Sequence, residues 1–374
     1  MNKKITIILV VYFFLVCFAD RTVAQIEQTR FFRNTVLVAG FEMQMWNFDK
    51  MDDSFNQFAI PMAFYLPVSE KFSLDFVSAT AMNSFGELEL NGFADTRMRG
   101  SLLLGENVLC TAGLSLPTGK SQLTSEELNM SSITANHALR MKVPNLGQGF
   151  DVNIGLVAAH DMDGWTIGGG IGYLMKGKYQ PIDGSDLKYA PGDEFNFTLG
   201  ADIGDENRLS ADIIYTMYGS DKVSDEEVFK SGSRILIQAR YLIKKRIAAG
   251  KTMNLTFYVR ERTKSKNEFA VAQGLQEEKE NSNGNELEFG GNMLYPLSPT
   301  LRLKTLLNYK AFSDNGYETG GASVLGIGGG FNVSLSSSVT AELGVKYSTG
   351  NVRVGTMEIG ISGITIFGGF NVQL

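Results

Sequence analysis

The chain has 374 residues, 34 of them basic and 40 acidic, and a formal charge of -6, with two cysteines and two histidines. An acidic balance excludes a nucleic-acid binder that works through a basic surface, and so few thiols and imidazoles leave no material for a disulfide framework or a Cys/His metal cluster. The 41 glycines exceed the usual share of about 7%, and prolines number only 8.

At the N-terminus, MNKKITIILVVYFFLVCFADRTVAQ places Lys3 and Lys4 before an apolar run from Ile5 to Ala19, followed by Thr22, Val23 and Ala24. This predicts a secretory signal peptide over residues 1–25, cleaved after Ala24 or Gln25. The apolar run is about 15 residues long, where a spanning helix needs roughly 20. Val16 before Cys17 argues against a lipoprotein. Cleavage removes Lys3, Lys4, Arg21 and Asp20, which takes the formal charge from -6 to -8 and leaves Cys110 as the one cysteine. Residues 26–374 show no second long apolar segment and no linker that would divide them. An exported chain without a further apolar helix, rich in glycine and aromatics, suits an outer-membrane β-barrel of a Gram-negative bacterium.

Period-2 alternation predicts strands over residues 34–46, 55–66, 71–82, 93–104, 107–117, 148–159, 164–176, 194–204, 207–218, 232–244, 250–263, 285–296, 299–312, 321–335, 338–349 and 357–374. That is a transmembrane antiparallel barrel of about 16 strands, with 14 as the alternative if pairing fails around 34–46 or 136–160. The run TLRLKTLLNYK shows the pattern: Leu301, Leu303, Leu307 and Tyr309 share one face, and Arg302, Lys304 and Lys310 the other. In a barrel the first face meets lipid. The reverse assignment would place three cations in hydrocarbon at about 2–4 kcal/mol each near the midplane.

The connections alternate in length. Short turns such as PVSEK, GEN, HDMDG, GDEN and PLSPT predict the periplasmic side. Long polar runs predict extracellular loops, among them PTGKSQLTSEELNMSSITANHALRMKVPNLGQ (117–148) and TKSKNEFAVAQGLQEEKENSNG. Aromatic residues fall into two girdles, Trp165, Tyr241, Tyr295, Phe64 and Phe72 near the short turns and Tyr173, Tyr215, Tyr309 and Tyr347 near the long loops. Ile364, Ile366, Gly368, Phe370, Val372 and Leu374 share one face of the last strand. They resemble the C-terminal signal read by outer-membrane assembly machinery, with leucine where an aromatic residue is commoner.

Chemistry-bearing motifs are absent from this reading. GLSLPTGKS (113–121) has five residues between Gly113 and Gly119 where a phosphate loop needs four. TIGGGIGY and GIGGGF precede no helical pattern, so their glycines are read as strand glycines that bend the barrel or leave space inside it. His137 and His160 lie in a predicted loop and a predicted turn, outside any nucleophile motif. The expectation is no enzyme, no cofactor and no metal. The inward charges Glu42, Asp75, Arg97, Arg99, Arg234, Arg240, Arg260, Arg262, Arg302, Lys304, Lys310, Glu342 and Lys346 are the candidate channel-lining residues. Most are basic, which tilts selectivity toward anionic or polarisable solutes.

FAIPMAFYLPVSEKFSLDFVSA (58–79), GFADTRMRGSLLL (92–104), AGLSLPTGK (112–120), WTIGGGIGY (165–173) and YAPGDEFNFTLGADI (189–203) resemble the outer-membrane channel family of the meta-pathway of phenol degradation, which is broadly similar to fatty-acid-type channels. The Leu-Pro-Thr-Gly element and the Gly-x-x-Asp start at Gly92 and Asp95 carry most of the likeness. The resemblance implies a barrel that helps small hydrophobic or aromatic compounds cross the outer membrane, and no catalytic residues come with it. The expected function is therefore an outer-membrane channel for passive or facilitated passage of small solutes. A non-transporting structural or adhesive barrel, binding a partner through its long loops, is the alternative. Packing of the loops or of residues 25–33 inside the bore would decide between them. The expected surroundings are outer-membrane lipid, the solute and the assembly machinery.

Overall fold

The structure, a computed structural model, describes residues 34–374 apart from Lys50, Ala249 and Thr356. The predicted signal peptide and the segment 25–33 lie outside the described residues.

Alternating apolar and polar side chains, with β-branched and aromatic residues on the apolar positions, cannot settle as a helix and instead build a long meander. It begins with β1 (Val36–Phe48), β2 (Ser54–Pro67) and β3 (Phe72–Phe85). β4 (Leu88–Phe93) and β5 (Thr96–Leu104) are one strand interrupted at Ala94 and Asp95, each pairing a different half of β3. β6 (Val108–Leu116) leads into a loop, residues 117–150, that contains helix α1 (Ser125–Thr134). β7 (Asp151–Met162) and β8 (Trp165–Lys176) follow, then β9 (Tyr189–Ala190), β10 (Glu194–Ile203), β11 (Arg208–Tyr218), β12 (Ser220–Val223) and β13 (Glu226–Lys230). The chain continues through β14 (Arg234–Ala248), β15 (Lys251–Lys264), β16 (Glu268–Val271), β17 (Gly274–Glu277), β18 (Glu286–Pro296) and β19 (Leu301–Phe312). It ends with β20 (Ala322–Ser334), β21 (Val339–Val354) and β22 (Met357–Gln373).

Sequential antiparallel pairing runs round the molecule, and β22 pairs with β1 from Val36 opposite Gln373 to Phe48 opposite Ile361. The sheet is closed and leaves no edge, the condition for a sheet in lipid. Counting β4 and β5 as one strand, the barrel has 16 strands. The broken strand begins at Leu88, five residues before the predicted start at 93. Side chains at alternate positions form a broad exposed apolar band, with Ile327 at 60% and Leu199 at 58% exposure. A soluble sandwich would bury those positions, and lipid is the solvent that accepts them.

Two glycines permit backbone approaches elsewhere in the sheet that a side chain would block. At the short turn between β10 and β11, Gly204 has φ +85, and a Cβ there would sit 2.2 Å from the Asn207 carbonyl oxygen. At the β20–β21 seam, a Cβ on Gly330 would meet the Leu343 carbonyl oxygen at 2.3 Å and the Gly344 Cα at 2.6 Å. Only glycine permits that approach.

The long connections are more ordered than the sequence reading expected. β9, β12, β13, β16 and β17 form a second sheet of five short strands above one rim, drawn from three separate loops. Its strands are too short for alternation to register, and its pairing partners lie in different loops. Residues 117–150 depart furthest from the expected extracellular loop.

Candidate functional site

The root of that loop is built by the residues that carry the family resemblance. The Asp95 carboxylate, at the break between β4 and β5, accepts the N–H of Gly119 at 2.9 Å and of Gln148 at 2.7 Å, clamping the outgoing and returning limbs together. Thr118 Oγ1 accepts the Thr96 N–H at 2.9 Å. A Cβ on Gly119 would lie 2.1 Å from the Leu146 carbonyl oxygen, so the limbs cross in direct backbone contact. Leu-Pro-Thr-Gly and Gly-x-x-Asp, distant in sequence, are two halves of one clamp.

Beyond the clamp, Thr124 and Glu127 form a capping box that starts α1. Partial burial raises the Glu127 carboxyl. Hydrogen bonds from Lys120 and from the Thr124 N–H, with the Lys120 charge, outweigh that and hold it below its ordinary 4.5. After α1 the chain turns inward. Arg140, at φ 52, occupies the left-handed region, which costs a non-glycine residue about 1–2 kcal/mol.

Side chains of the barrel wall hold this tip in place. Gln44 on β1 donates to the Arg140 carbonyl at 3.2 Å and accepts the Lys142 N–H at 3.0 Å. Gln57 on β2 donates to the Val143 carbonyl at 2.9 Å and accepts the Val143 N–H at 3.0 Å. Each glutamine thus satisfies plug backbone as a neighbouring strand would. Arg140 pairs with Glu288 on β18 at 2.5 Å, Lys142 with Glu42 on β1 at 2.9 Å, and Lys310 on β19 donates to the His137 carbonyl at 2.8 Å. β1 and β2 are separated from β18 and β19 by three strands on one side and by most of the barrel on the other. One segment can touch all four only from inside the bore, so the loop is a plug.

The plug fills one side of the bore with apolar packing. Leu139, Met141, Val143 and Leu146 join Met130 of α1 in a buried cluster with Trp46, Phe55, Ala59, Leu90, Val324, Val352, Ile359 and Ile361. These wall residues come from β1, β2, β4 and β20–β22, near the long-loop rim. The opposite wall, from β8 round to β15, is different. It presents Gly168, Gly170 and Gly172, then Thr198, Asp202, Asp212, Gln238, Arg240 and Arg260, on the face opposite the lipid-exposed residues of the same strands.

The thirteen residues expected from the sequence fall into three groups. Glu42, Lys310, Lys346 and Arg262 belong to the cluster around the plug tip. Lys310 bonds Glu286 at 3.0 Å, Arg262 bonds Glu286 at 2.7 Å, and Lys346 lies within electrostatic reach of Arg140, Glu42 and Glu288. Asp75 with Arg99 (2.9 Å) and Lys304 with Glu342 (2.5 Å) are local wall pairs, the second reaching across the glycines of β20. Arg234, Arg240 and Arg260 lie on the polar wall, while Arg97 and Arg302 are solvent-exposed. The expectation missed Glu286 and Glu288, although Leu287 and Phe289 alternate with them and face lipid. The parity that selected Lys310 would have found both. It also missed Gln44 and Gln57, which carry no charge, and Arg140 and Lys142, whose loop has no period to read.

Neither a family model nor a curated protein sequence matches the chain. Among solved structures it is similar to an anion-selective porin from Comamonas acidovorans, at 12% identity and TM-score 0.45, covering 91% of this chain and 98% of that one. It is also similar to the CymD monoaromatic hydrocarbon channel, at 10% identity and TM-score 0.44 over 91% and 88%. A deletion mutant of the TodX monoaromatic hydrocarbon channel gives 9% identity and TM-score 0.45 over 91% of each chain. At these identities the likeness is one of fold and gives no residue correspondence.

Proposed function

We propose that the protein is an outer-membrane channel for passive or facilitated passage of small solutes, which move between the plug and the polar wall. The observation that carries this reading is the asymmetry of the bore. A 16-strand barrel is wide enough for an aqueous channel unless something fills it. The plug packs its apolar residues against one side only, and the other side keeps charged residues and glycines on its inner face. A barrel serving only as an anchor gains nothing from such a wall, since every inward charge costs desolvation if the bore closes.

The proposal extends to a cleaved signal peptide over residues 1–25, delivery by outer-membrane assembly machinery, and kinship with the phenol meta-pathway channels suggested by the clamp motifs. Of the thirteen inward charges it assigns Arg234, Arg240 and Arg260 to the channel wall and Glu42, Lys310, Lys346 and Arg262 to the seat of the plug, and it involves no catalytic step or cofactor. A second reading, a surface barrel that binds a partner, is favoured by the five-stranded loop sheet, on which Phe269 and Val271 are exposed. Single-channel recording of the refolded mature barrel in a planar bilayer separates the two. Stable conductance steps support the channel. Silence from a barrel shown to be folded by its heat-dependent gel migration supports the binding reading.

A further inference from the structure

The polar wall is not uniformly charged. Arg234 and Arg240 on β14 and Arg260, Arg262 and Lys264 on β15 occupy alternate positions of one face. Their strands are in register, with Arg234 opposite Lys264, Gln238 opposite Arg260, and Arg240 opposite Tyr258. The residues between them on that face are Leu236, Gln238 and Tyr258, so no carboxylate interrupts the series. From Lys264 to Tyr258 the ladder descends six residues, roughly 20 Å along the strand.

Acids flank it on both sides, Glu286 and Glu288 on β18 opposite Arg262 and Arg260 and Asp212 on β11 opposite Gln238, and with two of the three acids opposite ladder cations they offset its five charges only in part. Arg262 is taken by Glu286 at 2.7 Å. Arg234 meets neutral partners, donating to Thr216 Oγ1 at 3.2 Å and lying 6.0 Å from the Tyr218 ring centroid, and Lys264 Nζ is 5.8 Å from the same ring. The Nε atoms of Arg234 and Arg260 are buried with no hydrogen-bond partner among the described residues. Those two atoms are closed to solvent, but Arg234 and Arg260 are part-exposed as residues, so a solute in the bore meets their charge.

The ladder also sits where a solute must pass. Its upper end, at Arg234 and Lys264, is at the long-loop rim. Its lower end is level with the plug tip, where Tyr258 donates to Glu288 at 2.9 Å beside Arg140. A solute entering from that rim travels along the ladder before it clears the plug.

We propose that this wall guides small oxyanions, carboxylates and phosphates, so that the channel favours anionic solutes over neutral and cationic ones of the same size. The inference rests on the channel reading and names its solute class. Planar guanidinium groups match the two oxygens of a carboxylate, and a single file of them on two adjacent strands offers successive sites rather than one trap.

The test uses the refolded mature protein and the variant Arg260→Gln/Lys264→Gln in a bilayer under a potassium chloride gradient, with the reversal potential as readout. The wild type is expected to favour chloride. The variant is expected to lose roughly 16-fold in anion-to-cation permeability for each charge removed, about fourfold from the anion and about fourfold from the cation, as for a charge about 5 Å from a passing ion in water. Liposome influx of benzoate against benzamide, nearly isosteric and differing in charge, and of inorganic phosphate against glycerol then separates carboxylate from phosphate as the preferred oxyanion. A conducting channel that prefers potassium, or whose selectivity is unchanged in the variant, overturns the inference and leaves the channel reading standing. A folded barrel that never conducts overturns both.

Discussion

The glutamine contacts make the position of the plug a matter of hydrogen-bond accounting. Gln57 is 1% exposed, and its amide is the partner of both the Val143 N–H and the Val143 carbonyl while also donating to Asn83 Oδ1 at 2.6 Å. Gln57→Leu keeps the shape and removes the partner. With the plug docked, Val143 then carries two buried backbone groups without partners, at about 1–3 kcal/mol each. Released from the wall, the same groups meet water and cost nothing. Docking therefore weakens by about 2–6 kcal/mol, which is roughly 30-fold to more than 10⁴-fold in the docking equilibrium. The barrel ladder itself is untouched, because β2 pairs with β1 and β3 through backbone groups.

Hydrogen exchange read by mass spectrometry on the refolded barrel measures this directly, since the Val143 and Lys142 amides are the donors to Gln57 and Gln44. In Gln57→Leu, protection of residues 137–146 should fall by the factor above while the barrel strands keep theirs. Gln44→Leu should lower it again, because Gln44 holds the Arg140 carbonyl and Lys142 N–H in the same way. Unchanged protection of residues 137–146 in the double variant would show that apolar packing alone seats the plug, and the reasoning from backbone satisfaction would be wrong.

Other expectations follow from the same structure. Leu307→Arg places a cation on the lipid face at mid-strand and should lower barrel stability in liposomes by about 2–4 kcal/mol, whereas Asn308→Arg, one residue on and facing the bore, should cost far less; equal urea midpoints for the two would contradict the face assignment. Gly330→Ala should cost about 1–3 kcal/mol or prevent folding, because its Cβ cannot coexist with the Leu343 carbonyl oxygen at 2.3 Å in the observed register; an unaltered unfolding midpoint would mean the seam has slack. The Glu127 carboxyl is held below 4.5, so its contribution to the start of α1 is fully present above that value and is lost as pH falls through the lowered one. Exchange in residues 124–134 should therefore accelerate as pH falls below 4.5, and Glu127→Gln should remove most of that pH dependence; an identical profile in the variant would place the effect elsewhere.

The barrel was legible in the sequence because lipid imposes one rule on every strand. Leu199, Ile327 and Leu343 are exposed on the outer face, and each is an element of the period-2 pattern that located its strand. Short turns and long loops sorted the strands into hairpins, and closure of β22 on β1 settled the count at 16. The bore imposes no comparable rule. Gln44 and Gln57 matter because of two backbone groups some 90 residues away in sequence, and no spacing reports that. The plug, whose helix spans ten residues and whose tip is an irregular turn at Arg140, has no long period. The clamp at Asp95 shows the intermediate case. Its residues stood out as a motif, but that they meet each other is visible only in the fold.

Charge was the most misleading of the global properties. A chain with a formal charge of -6 gives no hint of a cationic bore, because the two signs are sorted by place. Carboxylates such as Asp49, Asp52, Asp53, Glu87, Asp314 and Glu318 gather in the connections at the long-loop rim, while β14 and β15 put seven cations (Arg234, Arg240, Lys244, Arg246, Arg260, Arg262 and Lys264) and no acid on the face away from lipid. Screening decides which of these a passing solute feels. At physiological ionic strength charges separated by more than about 8 Å in water are largely masked, so the rim acts on the approach and the wall acts on the passage. Inside, low-dielectric walls focus the field, and a few guanidinium groups there outweigh a larger number of solvated carboxylates outside. Selectivity in such a barrel is therefore set by the strand pair that the plug leaves uncovered, and net charge, which counts every residue equally, is blind to it.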